Sequence, residues 1–61
     1  MTDKQWKQAE EQLPEGAKIL RTYNAFENGE LRLAVRIPDR QFETRYVVHF
    51  EGDGVRLEHR P

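Results

Sequence analysis

The spacing of apolar residues changes at the Pro-Glu-Gly segment of residues 14–16, and this change constrains the fold more than any other feature. Before it, Trp6, Ala9 and Leu13 recur at intervals of three and four, which is typical of one face of a helix. After it, apolar and polar residues alternate, as in strands with one buried side. The proline disfavours helical geometry in the residue before it, and the glycine permits a left-handed turn. We therefore expect one helix followed by a sheet.

The first residues carry a helix-start signal. In "TDKQ", Thr2 can accept the amide of Gln5 while the Gln5 side chain reaches back, which is a capping box. Asp3 places negative charge where the helix dipole favours it. The helix is thus expected to begin directly after Thr2.

Turn-forming residues divide the rest of the chain into four strands. Asn28-Gly29 predicts a type I′ hairpin turn with both residues at positive φ, and "PDRQ" at 38–41 and "EGDG" at 51–54 predict two further turns. The predicted strands are residues 17–26, 30–37, 42–50 and 55–59. Short connections favour an antiparallel meander in the order 1-2-3-4.

The apolar sides of the last three strands agree with one another. Pairing Ile37 with Phe42 and Phe50 with Val55 puts the apolar residues of these strands on one face. The same registers oppose Val35 to Thr44, Leu33 to Tyr46, Val48 to Leu57 and Tyr46 to His59. The helix stripe is expected to cover this face, with Trp6 as its largest contributor. The sequence predicts a single α+β domain over residues 1–61, with the N-terminal helix on one face of a four-stranded antiparallel sheet.

The first strand allows two registers. A tight turn pairs Phe26 with Leu31, and a three-residue turn with a bulge shifts the strand by one residue and reverses its faces. The tight turn directs Leu20, Thr22, Asn24 and Phe26 inward, and the bulged turn directs Ile19, Arg21, Tyr23 and Ala25 inward. We favour the tight turn because it buries Phe26. A bulge near Arg21 would let Ile19 and Leu20 both find cover.

The composition argues against an enzyme. The 61 residues include no cysteine and no serine, so the two commonest side-chain nucleophiles, disulfides and thiolate metal sites are all excluded. His49 and His59 are predicted to point to opposite faces, and no third ligand has suitable spacing for a metal. Glu43 and Glu58 lie on an open arginine-rich face, which lowers carboxyl pKa values rather than raising one for acid–base work. We expect no catalytic residue, metal or cofactor.

A helix followed by an antiparallel meander resembles the general plan of cystatin-like and PepSY-type modules. The resemblance covers topology only and transfers no residue, and it favours a binding module over an enzyme. The chain shows neither a secretory signal nor an apolar run of about 20 residues that could cross a bilayer. A soluble, cytoplasmic protein without a membrane partner is expected.

The outer face of the predicted sheet carries an excess of arginine. Its predicted basic residues outnumber its acids, Glu30, Glu43 and Glu58, although the whole chain has a net charge of −1. A basic excess is the usual mark of a nucleic-acid binder, and the whole chain lacks it. The candidate partner-binding residues on this face are Arg21, Tyr23, Arg32, Arg36, Arg45, His49 and Arg56.

Three interpretations of this face remain open. The side chains can form a solvated set of cross-strand ion pairs, Arg36 opposite Glu43 among them, with no ligand. They can bind a protein or peptide, because arginine and tyrosine are common at binding hot spots. They can bind nucleic acid, with bases stacked on Tyr23 or His49. A protein partner has a second route in the exposed edge of the first strand, which can accept a peptide strand or another copy of this chain.

Overall fold

The computed structural model describes residues 1–60 and confirms the predicted α+β architecture. One helix precedes an open four-stranded antiparallel sheet in the order β1-β2-β3-β4. The elements are α1 (Asp3–Glu11), β1 (Lys18–Asn24), β2 (Leu31–Arg36), β3 (Thr44–Glu51) and β4 (Gly54–Arg60).

The helix begins as the sequence predicts. The Gln5 amide donates to Oγ1 of Thr2 (3.2 Å), and the Thr2 amide donates to Oε1 of Gln5 (2.9 Å). These two bonds satisfy amides that have no partner inside the helix. After α1, the chain passes through Gly16 at φ 81° to reach β1.

The core lies between the helix and the inner face of the sheet. Ala9, Leu33 and Val35 are completely buried, and Val48 and Val55 complete the cluster. Trp6 and Leu13 pack against this cluster while remaining half-buried. Ala9 is the buried residue of the helix, whereas Trp6, predicted as the largest contributor to the covered face, is half-buried and packs at the margin of the cluster.

The registers predicted for the last three strands are largely confirmed. Leu33 opposes Tyr46 and Val35 opposes Thr44, as predicted. Between β3 and β4 the predicted pairs of Tyr46, Val48 and Phe50 are all present. The predicted pair of Ile37 with Phe42 is not, because β2 ends at Arg36 and β3 begins at Thr44. The chain turns instead through a bond from the Arg40 amide to the Ile37 carbonyl, and Phe42 is mostly exposed.

The tight turn predicted for the first hairpin is wrong. Asn24, rather than Phe26, opposes Leu31, so the register differs by two residues from the favoured one. The loop is longer, and within it only Gly29 has positive φ. The Ala25 amide donates to the Glu30 carbonyl and the Gly29 amide to the Ala25 carbonyl, both at 2.8 Å. The Phe26 side chain consequently lies in solvent.

Side chains explain why the longer loop forms. The Asn24 side chain donates to the Gly29 carbonyl (3.1 Å), and Asn28 accepts the Glu30 amide (3.1 Å). These bonds offer the loop backbone local partners, as asparagine commonly does in turns. The longer loop also avoids the opposition of Glu27 to Glu30 that the tight turn would have required.

A bulge at Leu20 changes which face of the sheet the residues of β1 occupy on its two sides. The register shifts between Ile19 and Arg21, so Ile19 opposes Val35 on the inner face and Arg21 opposes Ala34 on the outer face. The predicted inward faces of Thr22 and Asn24 are retained, although both residues are exposed. The prediction for Leu20 is wrong, since this extra residue is 40% exposed. The bulge covers Ile19 and leaves Leu20 uncovered.

Candidate functional site

The outer sheet face brings all seven predicted binding residues together. Strand pairing sets Arg21 beside Ala34, Tyr23 beside Arg32 and His49 beside Arg56. The same alternation puts Arg36 and Arg45 on this face. We call this surface the arginine face. Lys18 and Glu51, which the sequence analysis did not assign to it, also lie there through their pairing with Arg36 and Gly54.

The arginine face carries a local positive excess. Seven basic side chains stand against four acidic ones, a net of three positive charges, in a chain whose total is −1. The basic residues are Lys18, Arg21, Arg32, Arg36, Arg45, Arg56 and Arg60; the acidic residues are Glu30, Glu43, Glu51 and Glu58.

The centre of the arginine face is a second, thin buried layer. Ala34 and Val47 are almost completely buried although no helix covers this side. The flanking Arg21, Arg32 and Arg45 side chains lie over them, because an arginine stem covers apolar surface while its guanidinium stays in water. This layer was missed by the sequence analysis. The signal was present as small or β-branched residues placed between arginines on adjacent strands.

Ion pairs hold one part of the face. Arg21 donates from both terminal nitrogens to the two carboxylate oxygens of Glu43, each at 3.0 Å. This bidentate bond, with the further attraction of the charges of Arg21, Arg36 and Arg45, holds the pKa of Glu43 below its ordinary value. It also raises the pKa of the Arg21 guanidinium. The predicted opposition of Arg36 to Glu43 is replaced by this longer diagonal, which spans β2 across the small side chain of Ala34.

A second ion-pair group lies on β3 and β4. Nε2 of His49 is 2.7 Å from Oε1 of Glu58, and Nε of Arg60 donates to the other oxygen of Glu58 at 3.2 Å. The His49 hydrogen bond, followed by the Arg60 charge, lowers the pKa of Glu58. Arg56 donates to Glu51 at 3.0 Å. His49 and Arg56 are therefore engaged with carboxylates of the same chain.

Three arginines remain without such neutralisation. Within residues 1–60, neither Arg36 nor Arg45 has a carboxylate oxygen within 4.0 Å. Arg32 reaches Glu30 only at 3.6 Å, and its buried Nε has no hydrogen-bond partner among the described residues. The arginine charge without a close ion pair is thus concentrated on β2 and the start of β3, while Lys18 on β1 also has no ion-pair partner within residues 1–60.

Two depressions flank Arg45 on this face. The first has a volume of about 440 Å³ and adjoins the β1–β2 loop. Its lining consists of Arg21, Tyr23, Asn24, Ala25, Phe26, Glu27, Arg32 and Arg45. The second, of about 360 Å³, adjoins the β2–β3 turn and is lined by Arg36, Gln41, Phe42, Glu43 and Arg45. Each depression therefore combines the unpaired guanidinium of Arg45 with an exposed phenylalanine, a combination that the sequence did not predict.

The described residues show no group suited to metal binding or membrane crossing. No cluster of three or more His, Asp or Glu side chains with metal-binding geometry occurs in residues 1–60. His59 instead packs beside Tyr46 on the inner side, with ring centroids 5.6 Å apart. No helix in this part of the chain combines the length and apolar character that a membrane span requires.

Comparisons with known proteins identify no relative. No family model, no curated protein and no solved structure matches this chain.

Proposed function

We propose that this chain is a small non-enzymatic interaction domain that binds a protein or peptide segment through the arginine face. The observation that carries the proposal is the pair of guanidinium groups on Arg36 and Arg45, which have no ion-pair partner within residues 1–60 and lie beside two depressions. The guanidinium of Arg32, paired with Glu30 only at 3.6 Å, lines the first depression. Guanidinium groups bind carboxylates in a planar, bidentate geometry, as Arg21 already does with Glu43. The expected partner is an acidic segment.

Exposed aromatic residues favour a partner that also carries apolar side chains. Phe26 and Phe42 are largely in solvent at opposite ends of the face, and each borders a depression. Aromatic and arginine residues dominate the binding energy at many protein interfaces. An acidic peptide with an apolar residue on either side of its carboxylates matches this arrangement.

The same features favour a protein partner over nucleic acid. The whole chain has no basic excess, which a protein that binds phosphate backbones usually shows. Tyr23, which was the predicted platform for a stacked base, is half-buried. We also propose a cytoplasmic location, since a chain without cysteine suits a reducing compartment.

Peptide titration tests the proposal. The probe is a fluorescent ten-residue peptide of alternating glutamate and leucine, measured by anisotropy at low and moderate salt. We expect binding that Arg32→Glu, Arg45→Glu weakens at least tenfold. The matched control is Lys7→Glu, Arg40→Glu, which makes the same charge change at two exposed positions off the face.

Two outcomes would contradict the proposal. Equal loss in the face variant and the control would mean that only net charge matters. Tighter binding of a single-stranded oligonucleotide than of the peptide, with a steep dependence on salt that the face variant removes, would assign the face to nucleic acid instead.

A further inference from the structure

The two outer edges of the sheet are treated differently by the rest of the chain. The edge of β4 is covered by helix side chains. Gln8 accepts the Val55 amide (3.0 Å), while Gln12 donates to the Val55 carbonyl (2.7 Å) and accepts the Leu57 amide (2.8 Å). These side-chain amides take the place of a neighbouring strand.

The edge of β1 has no such cover. Ala25 donates to Glu30 across the hairpin, so the backbone groups of Ala25 face β2. Backbone groups of an antiparallel strand face alternate sides. The amides and carbonyls of Thr22 and Asn24 therefore point to the open edge, and the bulge at Leu20 limits the regular part of that edge.

We propose that this edge pairs with the same edge of a second copy, antiparallel, about a two-fold axis at Tyr23. Thr22 of each copy would then exchange hydrogen bonds with Asn24 of the other, four bonds in all, and the two Tyr23 residues would form a pair between them. The inference goes beyond the proposed function and does not depend on it.

Apolar surface and charge support this register. Leu20 and Phe26 are exposed on either side of Tyr23, three residues away in each direction. Antiparallel pairing about Tyr23 brings Leu20 of one copy to Phe26 of the other. It also brings Lys18 of one copy near Glu27 of the other, which places opposite charges together. A parallel arrangement would place like residues side by side and lose both matches.

The edges also determine the size of the assembly. An interface that uses the same surface on both copies closes after two. At the β4 edge Gln8 and Gln12 occupy both backbone groups of Val55 and the amide of Leu57, which hinders the pairing of a further strand at either end of the resulting eight-stranded sheet. A short strand edge buries less than the roughly 1,200 Å² of a standard stable interface, so we expect a dissociation constant in the micromolar range or weaker.

Single-cysteine cross-linking tests the register directly, because the chain has no cysteine of its own. In a non-hydrogen-bonded antiparallel pair the two Cα atoms are about 4.5 Å apart, within disulfide range. Tyr23→Cys should therefore form a disulfide dimer in a glutathione buffer. Lys18→Cys, on the same strand, should not, since its two copies would lie about 30 Å apart. Equal cross-linking of both variants, or of neither, would overturn the inference.

Sedimentation equilibrium of the unmodified chain supplies an independent measurement. The average mass should rise towards that of a dimer between micromolar and millimolar concentrations. Phe26→Ala should raise the dissociation constant at least tenfold, and Phe42→Ala, which removes another exposed ring away from the edge, should leave it unchanged. A strict monomer at millimolar concentration, or equal effects of the two variants, would overturn the pairing.

Discussion

The two edge strands of this sheet, β1 and β4, differ in how their outer backbone groups and their side chains are covered by the rest of the chain. β4 lies against the helix, which supplies glutamine partners to its outer backbone groups. β1 lies away from the helix, and five of its seven residues are exposed. The chain thus concentrates its packing on one half of the sheet and leaves the other half thinly covered.

This difference shows how a short chain can protect a sheet with limited material. A nine-residue helix cannot cover four strands, so it is placed where its side chains both bury apolar surface and cap an edge. Covering an edge prevents pairing with other chains. On the β1 side, the bulge at Leu20 and the charge of Lys18 limit pairing with another strand, but the outer backbone groups of Thr22 and Asn24 stay uncovered.

The largest effect should follow from uncovering the β4 edge. Gln8→Ala, Gln12→Ala removes three hydrogen bonds to β4, and we expect a loss of about 2–3 kcal/mol in the free energy of unfolding, at roughly 1 kcal/mol for each bond. Thr22→Ala, on the open edge, should cost less than about 0.5 kcal/mol, as exposed substitutions usually do. Urea denaturation measures both. Equal losses of unfolding free energy in the two variants would mean that the glutamine side chains do not protect the β4 edge.

A smaller effect should follow at Gly54, where the cover over the β4 edge requires the absence of a side chain. A methyl group there would lie 2.5 Å from Oε1 of Gln8 and displace it from Val55. The φ of Gly54 is not positive, so alanine itself is tolerated by the backbone. We expect Gly54→Ala to cost about 1 kcal/mol, the value of one hydrogen bond.

A double-mutant cycle checks this explanation of Gly54. In a Gln8→Ala background the same glycine substitution should be neutral or slightly stabilising, because no side chain remains to displace and alanine loses less entropy than glycine in a strand. A full cost in both backgrounds would show that Gly54 acts through something other than Gln8.

Amide exchange should reveal the same contrast locally, without a change in overall stability. The Val55 and Leu57 amides, which donate to glutamine side chains, should be protected. At micromolar concentration the Thr22 and Asn24 amides should exchange nearly as fast as in an unfolded chain. NMR-detected exchange into deuterated water measures each one. Strong protection of Thr22 in a monomer would mean that the β1 edge is covered after all.

The two sides of the sheet also differ in how well their strand registers can be predicted from the sequence. Strands β2, β3 and β4 were placed correctly because their apolar residues agree across two turns, as the pairs Leu33–Tyr46 and Val48–Leu57 show. β1 was misregistered because the pattern there is weak. Hydrophobicity predicts Phe26 as a core residue, whereas asparagine side chains stabilise a longer loop that exposes it.

The residues that form the arginine face could be predicted from the sequence, but the carboxylate that each arginine contacts could not. Alternation alone places Arg32, Arg36 and Arg45 on the outer side, and the structure agrees. Which carboxylate each arginine contacts depends on strand twist and on the size of the residues between, so the diagonal from Arg21 to Glu43 had no signal in the sequence. The Gln8 and Gln12 caps were likewise hidden, because glutamine in a helix usually indicates only helix propensity.

The smallest expected effect concerns the ion pair between Arg21 of β1 and Glu43, the residue directly before β3. Because the folded state holds the pKa of Glu43 below its ordinary value of 4.5, the Arg21–Glu43 pair stabilises the fold above that pH and is lost as pH falls through the lowered value. Glu43→Gln should therefore be less stable than the unsubstituted chain at pH 6, and the difference should shrink as the pH falls below 4.5. Glu58→Gln should show the same pH dependence of stability, since the pKa of Glu58 is also lowered.

Amide exchange distinguishes the two variants. Only Glu43→Gln should accelerate amide exchange in β1, because Glu58 contacts β3 and β4 residues alone. The same acceleration in both variants would mean that β1 is held by the sheet as a whole rather than by its own contacts.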